Sequence, residues 1–161
     1  METNIKNILG EHSLKGREYQ QEIVQSVIEK VYPHVVTNLG PSKYREETPS
    51  VEVWNDIYAR YSGIPEMRGE ASKKTKAEWK EEDNKIYIYY LNMEDEEDII
   101  RSLLHEYTHS LQDPDPEKRA EQRKLGYDND LHEIEAHAAE ENWKDYLKYL
   151  NINLTEQITN N

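Results

Sequence analysis

Two histidines and a glutamate lie close together in the chain and have the spacing that metal-assisted hydrolysis requires. His105 and His109 are four residues apart, so on a helix both imidazoles project from the same face and can reach one metal ion. Glu106 lies about a quarter-turn around the helix from this pair. From there its carboxylate can take a proton from an attacking water molecule. The three residues therefore predict a reactive site carried by one helix.

The donors that the chain offers restrict the type of metal. The sequence contains no cysteine, so any ion must be held by histidine and carboxylate side chains. Zinc suits such donors, because in a tetrahedral site with one open position it is a Lewis acid that lowers the pKa of bound water to about 7. The His-Glu-x-x-His spacing is also a signature of metalloproteases. We therefore expect Zn²⁺ as the cofactor, while the spacing itself also suits other divalent ions.

A catalytic zinc site needs a third protein ligand, and the acidic segment after residue 130 offers several. Glu133 and His137 are four residues apart and share a helix face, whereas Glu135 projects to nearly the opposite side. A residue one turn after the third ligand is well placed to hold the second ring nitrogen of an imidazole ligand. This favours Glu133 as the ligand with His137 behind it, and leaves Glu135, His137 and His132 as alternatives. The candidates in full are His132, Glu133, Glu135, His137, Glu140 and Glu141.

Apolar periodicity predicts the elements of the first half of the chain. Spacings of three and four predict an amphipathic helix over residues 17–39. Alternation predicts a short strand over 51–54, and turn residues follow at 62–69. Residues 77–80 and 85–90 flank a polar segment and are predicted to form a hairpin.

Two further helices are expected to carry the reactive side chains. Acidic residues precede an apolar stripe in the helix expected over residues 95–112, which suits the positive end of the helix dipole. Its buried stripe leaves His105 and His109 facing a surface or a cleft. The second helix is expected over residues 131–150. The buried positions predicted for these two helices are Ile100, Leu104, Tyr107 and Leu111, and then Ala136, Ala139, Trp143, Tyr146 and Leu150.

Length and composition bound the domain organisation and the class of partner. The 161 residues are enough for one domain, expected over residues 17–150, with a flexible segment at 1–16 and a loose tail at 151–161. A net charge of −13 should repel nucleic acid and an anionic membrane surface. Because the start of the chain does not have the pattern of an export signal, we expect a cytoplasmic protein.

The motif residues resemble the gluzincin branch of the zincin metallopeptidases. Residues 105–109 read His-Glu-Tyr-Thr-His and residues 133–137 read Glu-Ile-Glu-Ala-His, and the stretch 104–112 is similar to many small bacterial and phage zincins. In that family a glutamate from a second helix joins the helix that bears the two histidines. The resemblance implies that His105, His109 and Glu133 are metal ligands, that Glu106 is the catalytic acid/base, and that Ala136 allows the two helices to pack closely.

The resemblance also carries expectations about the fold and the cleft. It implies an α+β, zincin-like fold in which helices pack on a short, mostly antiparallel sheet. The strand at residues 86–90 resembles the strand at the edge of the family's cleft, which binds extended peptides by adding them to the sheet. His137 stands where the family often has Asp. Tyr127, just before the third-ligand helix, is our candidate for donating a hydrogen bond to the transition-state oxyanion.

The predicted function is zinc-dependent hydrolysis of peptide bonds in a peptide or protein substrate. An alternative is a zincin-like acidic protein that binds a basic protein partner without catalysis, because a chain of this size leaves little room for substrate subsites. A second alternative is an acidic protein that imitates nucleic acid and so occupies a basic partner.

Overall fold

The computed structural model of the chain describes residues 17–61 and 74–150. Helices pack on a small three-stranded sheet, so the expected α+β class is confirmed. The expectations for residues 1–16, for the turns at 62–69 and for the tail at 151–161 concern segments outside the described residues. In chain order the elements are α1 (Arg17–Leu39), β1 (Ser50–Trp54), α2 (Ile57–Arg60), β2 (Ala77–Lys80), β3 (Lys85–Tyr89), α3 (Glu96–Leu111), α4 (Pro116–Lys124) and α5 (Leu131–Glu140).

The predicted first helix is confirmed as α1, whose apolar stripe packs in the main core. Gly40 ends the helix with a φ of +81°, where only glycine is unstrained, and its N–H donates to the carbonyl of Val36. The buried residues of this helix are Val24, Val27, Ile28, Val31 and Val35. In the part of the chain that the structure describes, no helix is both long and apolar enough to cross a membrane.

The sheet is mixed, with strand order β1-β3-β2. β1 is parallel to β3, while β2 is antiparallel to β3 and forms the predicted hairpin with it. The expectation of a mostly antiparallel sheet was therefore wrong. Only the short turn between β2 and β3 forces an antiparallel pair, whereas the chain between β1 and β3 is long enough to cross over and pair in parallel.

The expectation that the strand at residues 86–90 lies at the edge of the cleft was also wrong. β3 is the central strand, and β2 is the edge strand nearest the reactive helix. The physical reason is burial: four of the five residues of β3 are buried, so it needs neighbours on both sides. Every residue of β2 is only half-buried, as suits an edge.

The helix predicted over residues 95–112 is confirmed as α3. Asp95 caps it by accepting a hydrogen bond from the backbone N–H of Asp98, and acidic residues occupy the first turn. Ile100, Leu104 and Tyr107 are buried as expected, and the hydroxyl of Tyr107 donates to the carbonyl of Gly40 at 2.6 Å. This packing fixes α3 against α1 and turns its opposite face towards a cleft.

The last predicted helix is shorter than expected. α5 ends at Glu140, and a 3₁₀ turn at Trp143–Tyr146 interrupts the segment expected to continue to residue 150. The buried stripe is nevertheless confirmed: Ala136, Tyr146 and Leu150 are buried, while Ala139 and Trp143 pack partly buried against the core. α4 was not predicted, because its nine residues include no buried side chain and hence no apolar periodicity.

Candidate metal centre

Three side-chain groups from two helices converge at one point. On α3, Nε2 of His105 and Nε2 of His109 are 3.1 Å apart. From α5, the carboxylate of Glu133 lies 3.2 Å from the first nitrogen and 3.0 Å from the second. Two donors bound to a tetrahedral zinc ion at 2.0–2.1 Å lie roughly 3.3 Å apart. The spacing of these three groups therefore fits a zinc ligand set.

The second nitrogen of each imidazole faces a hydrogen-bond acceptor. Nδ1 of His105 donates to the carboxylate of Glu140 at 2.7 Å, and Nδ1 of His109 donates to the side-chain oxygen of Gln112 at 2.8 Å. His137, the residue expected to hold an imidazole, lies edge-on to the ring of His105, with ring centroids 4.7 Å apart. Its own Nδ1 bonds Glu140 at 2.7 Å, and Glu140 and Gln112 take the Nδ1 atoms of the two other histidines. Glu140, two turns after Glu133 on the same face of α5, performs the task instead.

These hydrogen bonds determine where the lone pairs point. A neutral imidazole carries its proton on one nitrogen only, so a proton on Nδ1 leaves a lone pair on Nε2 of both His105 and His109. Those lone pairs face each other and the Glu133 carboxylate, which is itself an acceptor. Within the described part of the chain, Oε2 of Glu133 is the one fully buried side-chain N or O atom without a hydrogen-bond partner. Such a group of converging acceptors is suited to a cation.

The pKa directions indicate the same need for positive charge. Burial lowers the pKa of His105, but pairing with Glu133 and Glu140 outweighs it and raises the value to about 10. The pKa of His109 is also raised, because pairing with Glu133 and the nearby Glu106 outweighs burial. Burial raises the pKa of Glu133, yet its two histidine partners hold it well below its usual range. Without a metal ion, protons supply the charge that this cluster attracts.

Glu106 lies beside the three donors. Its side chain is 12% exposed, and one carboxylate oxygen is 3.9 Å from Nε2 of His105. The other oxygen accepts a hydrogen bond from the backbone N–H of Trp79 on β2 at 2.9 Å. Burial raises the pKa of this carboxyl group. Glu106 therefore has the position and the environment of a group that exchanges protons rather than that of a ligand.

The donors line an open cleft of about 770 Å³ between β2, α3, α4 and the start of α5. Tyr127 lies in the 3₁₀ turn before α5, lines the same cleft, and places its hydroxyl 2.8 Å from Nε2 of His137. Burial and the nearby Glu133 carboxylate raise the pKa of Tyr127, so its hydroxyl keeps its proton. Other lining residues include Glu78, Trp79, Lys80, Glu81, Arg119, Arg123 and Asp130.

The other candidates for the third ligand contact residues outside the group of three donors. Glu135 accepts a hydrogen bond from Gln112, and Nδ1 of His132 faces Asp130 at 3.8 Å. His137 could join a metal group with His105 and Glu140. In that group, Nδ1 of each histidine lies 2.7 Å from Glu140, which is a hydrogen-bond distance and shorter than the roughly 3.3 Å between two donors on a tetrahedral zinc ion. Glu141 is 76% exposed and lies 4.0 Å from Arg101. Only Glu133 approaches both Nε2 atoms.

Sequence reasoning missed Gln112, Glu140 and the backbone of Trp79 as partners of the cluster. Gln112 lies one turn after His109, and Glu140 lies two turns after Glu133, so helical spacing alone could have marked both as neighbours. The contact between Trp79 and Glu106 had no sequence signal, because it depends on which edge of β2 faces α3.

No family model, curated protein or solved structure matches this chain. The resemblance to gluzincins therefore depends on the motif residues of the sequence alone.

Proposed function

We propose that this protein is a zinc-dependent metallopeptidase with a zincin-like fold of the gluzincin type. His105, His109 and Glu133 are the zinc ligands, and Glu106 is the general acid/base. The observation that carries the proposal is the convergence of the Nε2 atoms of His105 and His109 with the Glu133 carboxylate, at 3.0–3.2 Å from one another, on an open cleft. Oε2 of that carboxylate is buried without a hydrogen-bond partner. A buried glutamate beside them supplies the remaining group that hydrolysis requires.

Zinc, when bound, supplies a Lewis acid that polarises the scissile carbonyl and makes water more acidic. Glu106 takes a proton from the attacking water as the water oxygen forms its bond to the carbonyl carbon. It then passes that proton to the amine nitrogen as the C–N bond breaks. The N–H of Trp79 holds one oxygen of Glu106 and so directs the other towards the reacting atoms. Because burial raises the pKa of Glu106, the group is a better base than an exposed glutamate.

The edge of β2 gives the cleft a surface for an extended peptide. Tyr89 donates its N–H to Lys76 across the β2–β3 ladder, so by alternation the backbone groups of Ala77 and Trp79 point away from β3. Trp79 uses its outward N–H to bind Glu106. A substrate strand can pair with the other outward groups, as in β-strand addition. We propose that Tyr127 turns its hydroxyl from His137 to the substrate oxyanion.

The decisive test compares Glu106→Gln with the parent protein. We expect the variant to retain stoichiometric zinc, because Glu106 is not a ligand, and to lose about 100-fold or more in kcat. Metal analysis after dialysis and cleavage of casein and peptide libraries, with and without a chelator, measure the two properties. Glu97→Gln is the matched control, because Glu97 lies on the first turn of the same helix and pairs with Arg101 at 2.8 Å, away from the cleft.

Two outcomes would contradict the proposal in different ways. A Glu106→Gln protein as active as its parent would refute the mechanism. A zinc-loaded parent that cleaves nothing, but binds basic proteins in a salt-sensitive manner, would favour the acidic binding protein instead.

A further inference from the structure

A buried amide connects the metal centre to the helix that carries Glu133. Gln112 caps the end of α3 and is 8% exposed. Its oxygen lies 2.8 Å from Nδ1 of His109. Its nitrogen donates to the backbone carbonyl of His132 at 2.8 Å and to the carboxylate of Glu135 at 3.0 Å. The oxygen end of the amide therefore contacts α3, and its nitrogen end contacts two residues of α5, one before Glu133 and one after it.

The partners of the amide allow only one orientation. A carbonyl and a carboxylate can accept hydrogen bonds but cannot donate them, so the NH₂ group of Gln112 must face α5. The amide oxygen must then face His109, and the imidazole must carry its proton on Nδ1. The lone pair of His109 is therefore fixed on Nε2, where it points towards Glu133.

The two ligand imidazoles are held by different chemistry. Glu140 gives His105 a charged acceptor, whereas Gln112 gives His109 a neutral one that is itself oriented by α5. Because Gln112 bonds residues on either side of Glu133, the same contact sets the distance between His109 and its carboxylate neighbour.

We propose that Gln112 is a positioning residue, held by Glu135 and the carbonyl of His132, which fixes the tautomer and ring orientation of His109 for metal binding. This inference rests on the metal site of the proposed function. It also gives Glu135, one of the alternative ligands, a separate role: it orients the amide and does not bind the metal.

The test measures binding of Zn²⁺ and Co²⁺ to the parent protein and to Gln112→Leu, which removes both ends of the amide at similar volume. We expect Gln112→Leu to lose about 10- to 100-fold in zinc affinity, as is typical when the partner of a ligand histidine is removed. Gln20→Leu is the control: Gln20 is a half-buried glutamine whose side-chain nitrogen donates to a backbone carbonyl, that of Tyr90 at 3.1 Å, outside the cleft.

A spectroscopic readout separates positioning from a general loss of stability. In the Co²⁺-loaded parent, the Nδ1 protons of His105 and His109 should give two paramagnetically shifted NMR signals that exchange slowly with water. Gln112→Leu should retain the slowly exchanging signal protected by Glu140 and lose the other. Thermal unfolding of the metal-free proteins checks that each variant folds.

Three further variants test the positioning role of Gln112 if Gln112→Leu fails to fold. Gln112→Glu keeps an acceptor for His109 but places a carboxylate against Glu135 and the carbonyl of His132, so we expect weaker zinc binding. Adding Glu135→Gln removes the like charge and supplies a donor, so the double variant should recover part of the loss. Glu135→Gln alone should change zinc affinity by less than about threefold, because the new amide oxygen can still accept the hydrogen bond from Gln112 and the carbonyl of His132 remains.

The outcomes separate this inference from the proposed function. If the parent binds zinc stoichiometrically and the Gln112 variants bind it within about threefold of the parent, with both NMR signals retained, the positioning role is refuted and the metal site stands. If the folded parent binds neither metal, both proposals fall.

Discussion

Each histidine of the cluster is bonded at one ring nitrogen so that the other is free for a cation. The acceptor is Glu140 for His105 and Gln112 for His109. Both partners lie beyond the five residues of the motif, and one of them comes from the other helix. The motif therefore supplies the donor atoms, while neighbouring residues determine which atom of each ring is the donor.

Replacing Glu133 and Glu135 one at a time should show which of the two is the third zinc ligand. We expect Glu133→Ala to lose zinc on dialysis, because it leaves two imidazoles without the buried carboxylate that approaches both. Glu135→Ala should retain one zinc ion per chain, with at most about a threefold loss in affinity. Metal analysis of the dialysed proteins measures the difference. Stoichiometric zinc in Glu133→Ala would show that the third ligand has been misassigned.

Tyr127→Phe should test the proposed oxyanion donor. The hydroxyl lines the cleft but is not among the three converging groups, so zinc content should be unchanged. We expect kcat to fall by about 10- to 100-fold with little change in KM, because the hydrogen bond forms mainly in the transition state. Steady-state kinetics on the best peptide substrate measures both constants. A rise in KM at constant kcat would instead indicate that Tyr127 contacts the bound substrate.

The site is assembled by the packing of α5 on α3. Ala136 is fully buried, and its small side chain lets the two helices approach closely enough for Glu133 to reach both imidazoles. The residues around it on α5 that point elsewhere are exposed or half-buried. A close helix pair therefore sets the geometry of the ligand set.

Ala136 is not one of the proposed ligands, but enlarging its side chain should disturb the metal site. Ala136→Leu overpacks the helix interface, which typically costs 1–3 kcal/mol, and should separate Glu133 from the two histidines. We expect lower thermal stability together with a loss of zinc affinity of about tenfold or more. Ala138→Leu, on the exposed side of the same helix, should change neither the thermal stability nor the zinc affinity. Zinc titration and thermal unfolding of both variants test this, and equal zinc affinity in the two would contradict the role of the interface.

The whole molecule is acidic, with a net charge of −13. Its summed negative field favours the approach of a divalent cation and of basic or neutral peptides. The cluster at the floor of the cleft adds a local demand for positive charge, because its two histidines have raised pKa values and Glu133 a lowered one. Protons would therefore compete with a metal ion that bound to these groups.

This competition gives the metal-free protein a defined pH dependence. A raised pKa in the folded state means that the folded protein binds more protons than the unfolded chain between pH 6.5 and about 10. Stability from His105 is thus fully present below pH 6.5 and is lost as the pH rises through about 10. The lowered pKa of Glu133 acts in the opposite sense, with stability present above pH 4.5 and lost in acid.

We therefore expect the unfolding temperature of the metal-free protein to fall between pH 6.5 and 10. Zinc should reduce this fall, since it binds the deprotonated imidazoles. His105→Gln should also weaken the pH dependence, because it removes the titrating group. Thermal unfolding over this range, with zinc and with a chelator, measures the effect. A metal-free protein whose stability rises over the same range would contradict the assignment.

Local patterns in the chain were enough to predict the helices that carry the site. The apolar stripe and the acidic first turn indicated α3, and the helical period placed His105 and His109 on one face that looks into the cleft. The hairpin of β2 and β3 and the buried stripe around Ala136 were also predictable, because both depend on residues close together in the sequence. α4 was missed because a helix without a buried side chain has no apolar period.

Only the tertiary structure decided which groups meet across elements. The sequence by itself favoured Glu133 but left Glu135, His132 and His137 as possible third ligands, because an apolar stripe marks the buried face of α5 and does not show which helix packs against that face. The packing at Ala136 brings Glu133 to both imidazoles and sends Glu135 to Gln112. The order of the strands could not be predicted from local sequence patterns either, because it depends on which strand is buried between the other two, and that strand is β3. Chemistry follows from residue type and helical spacing, whereas the choice among like residues follows from long-range packing.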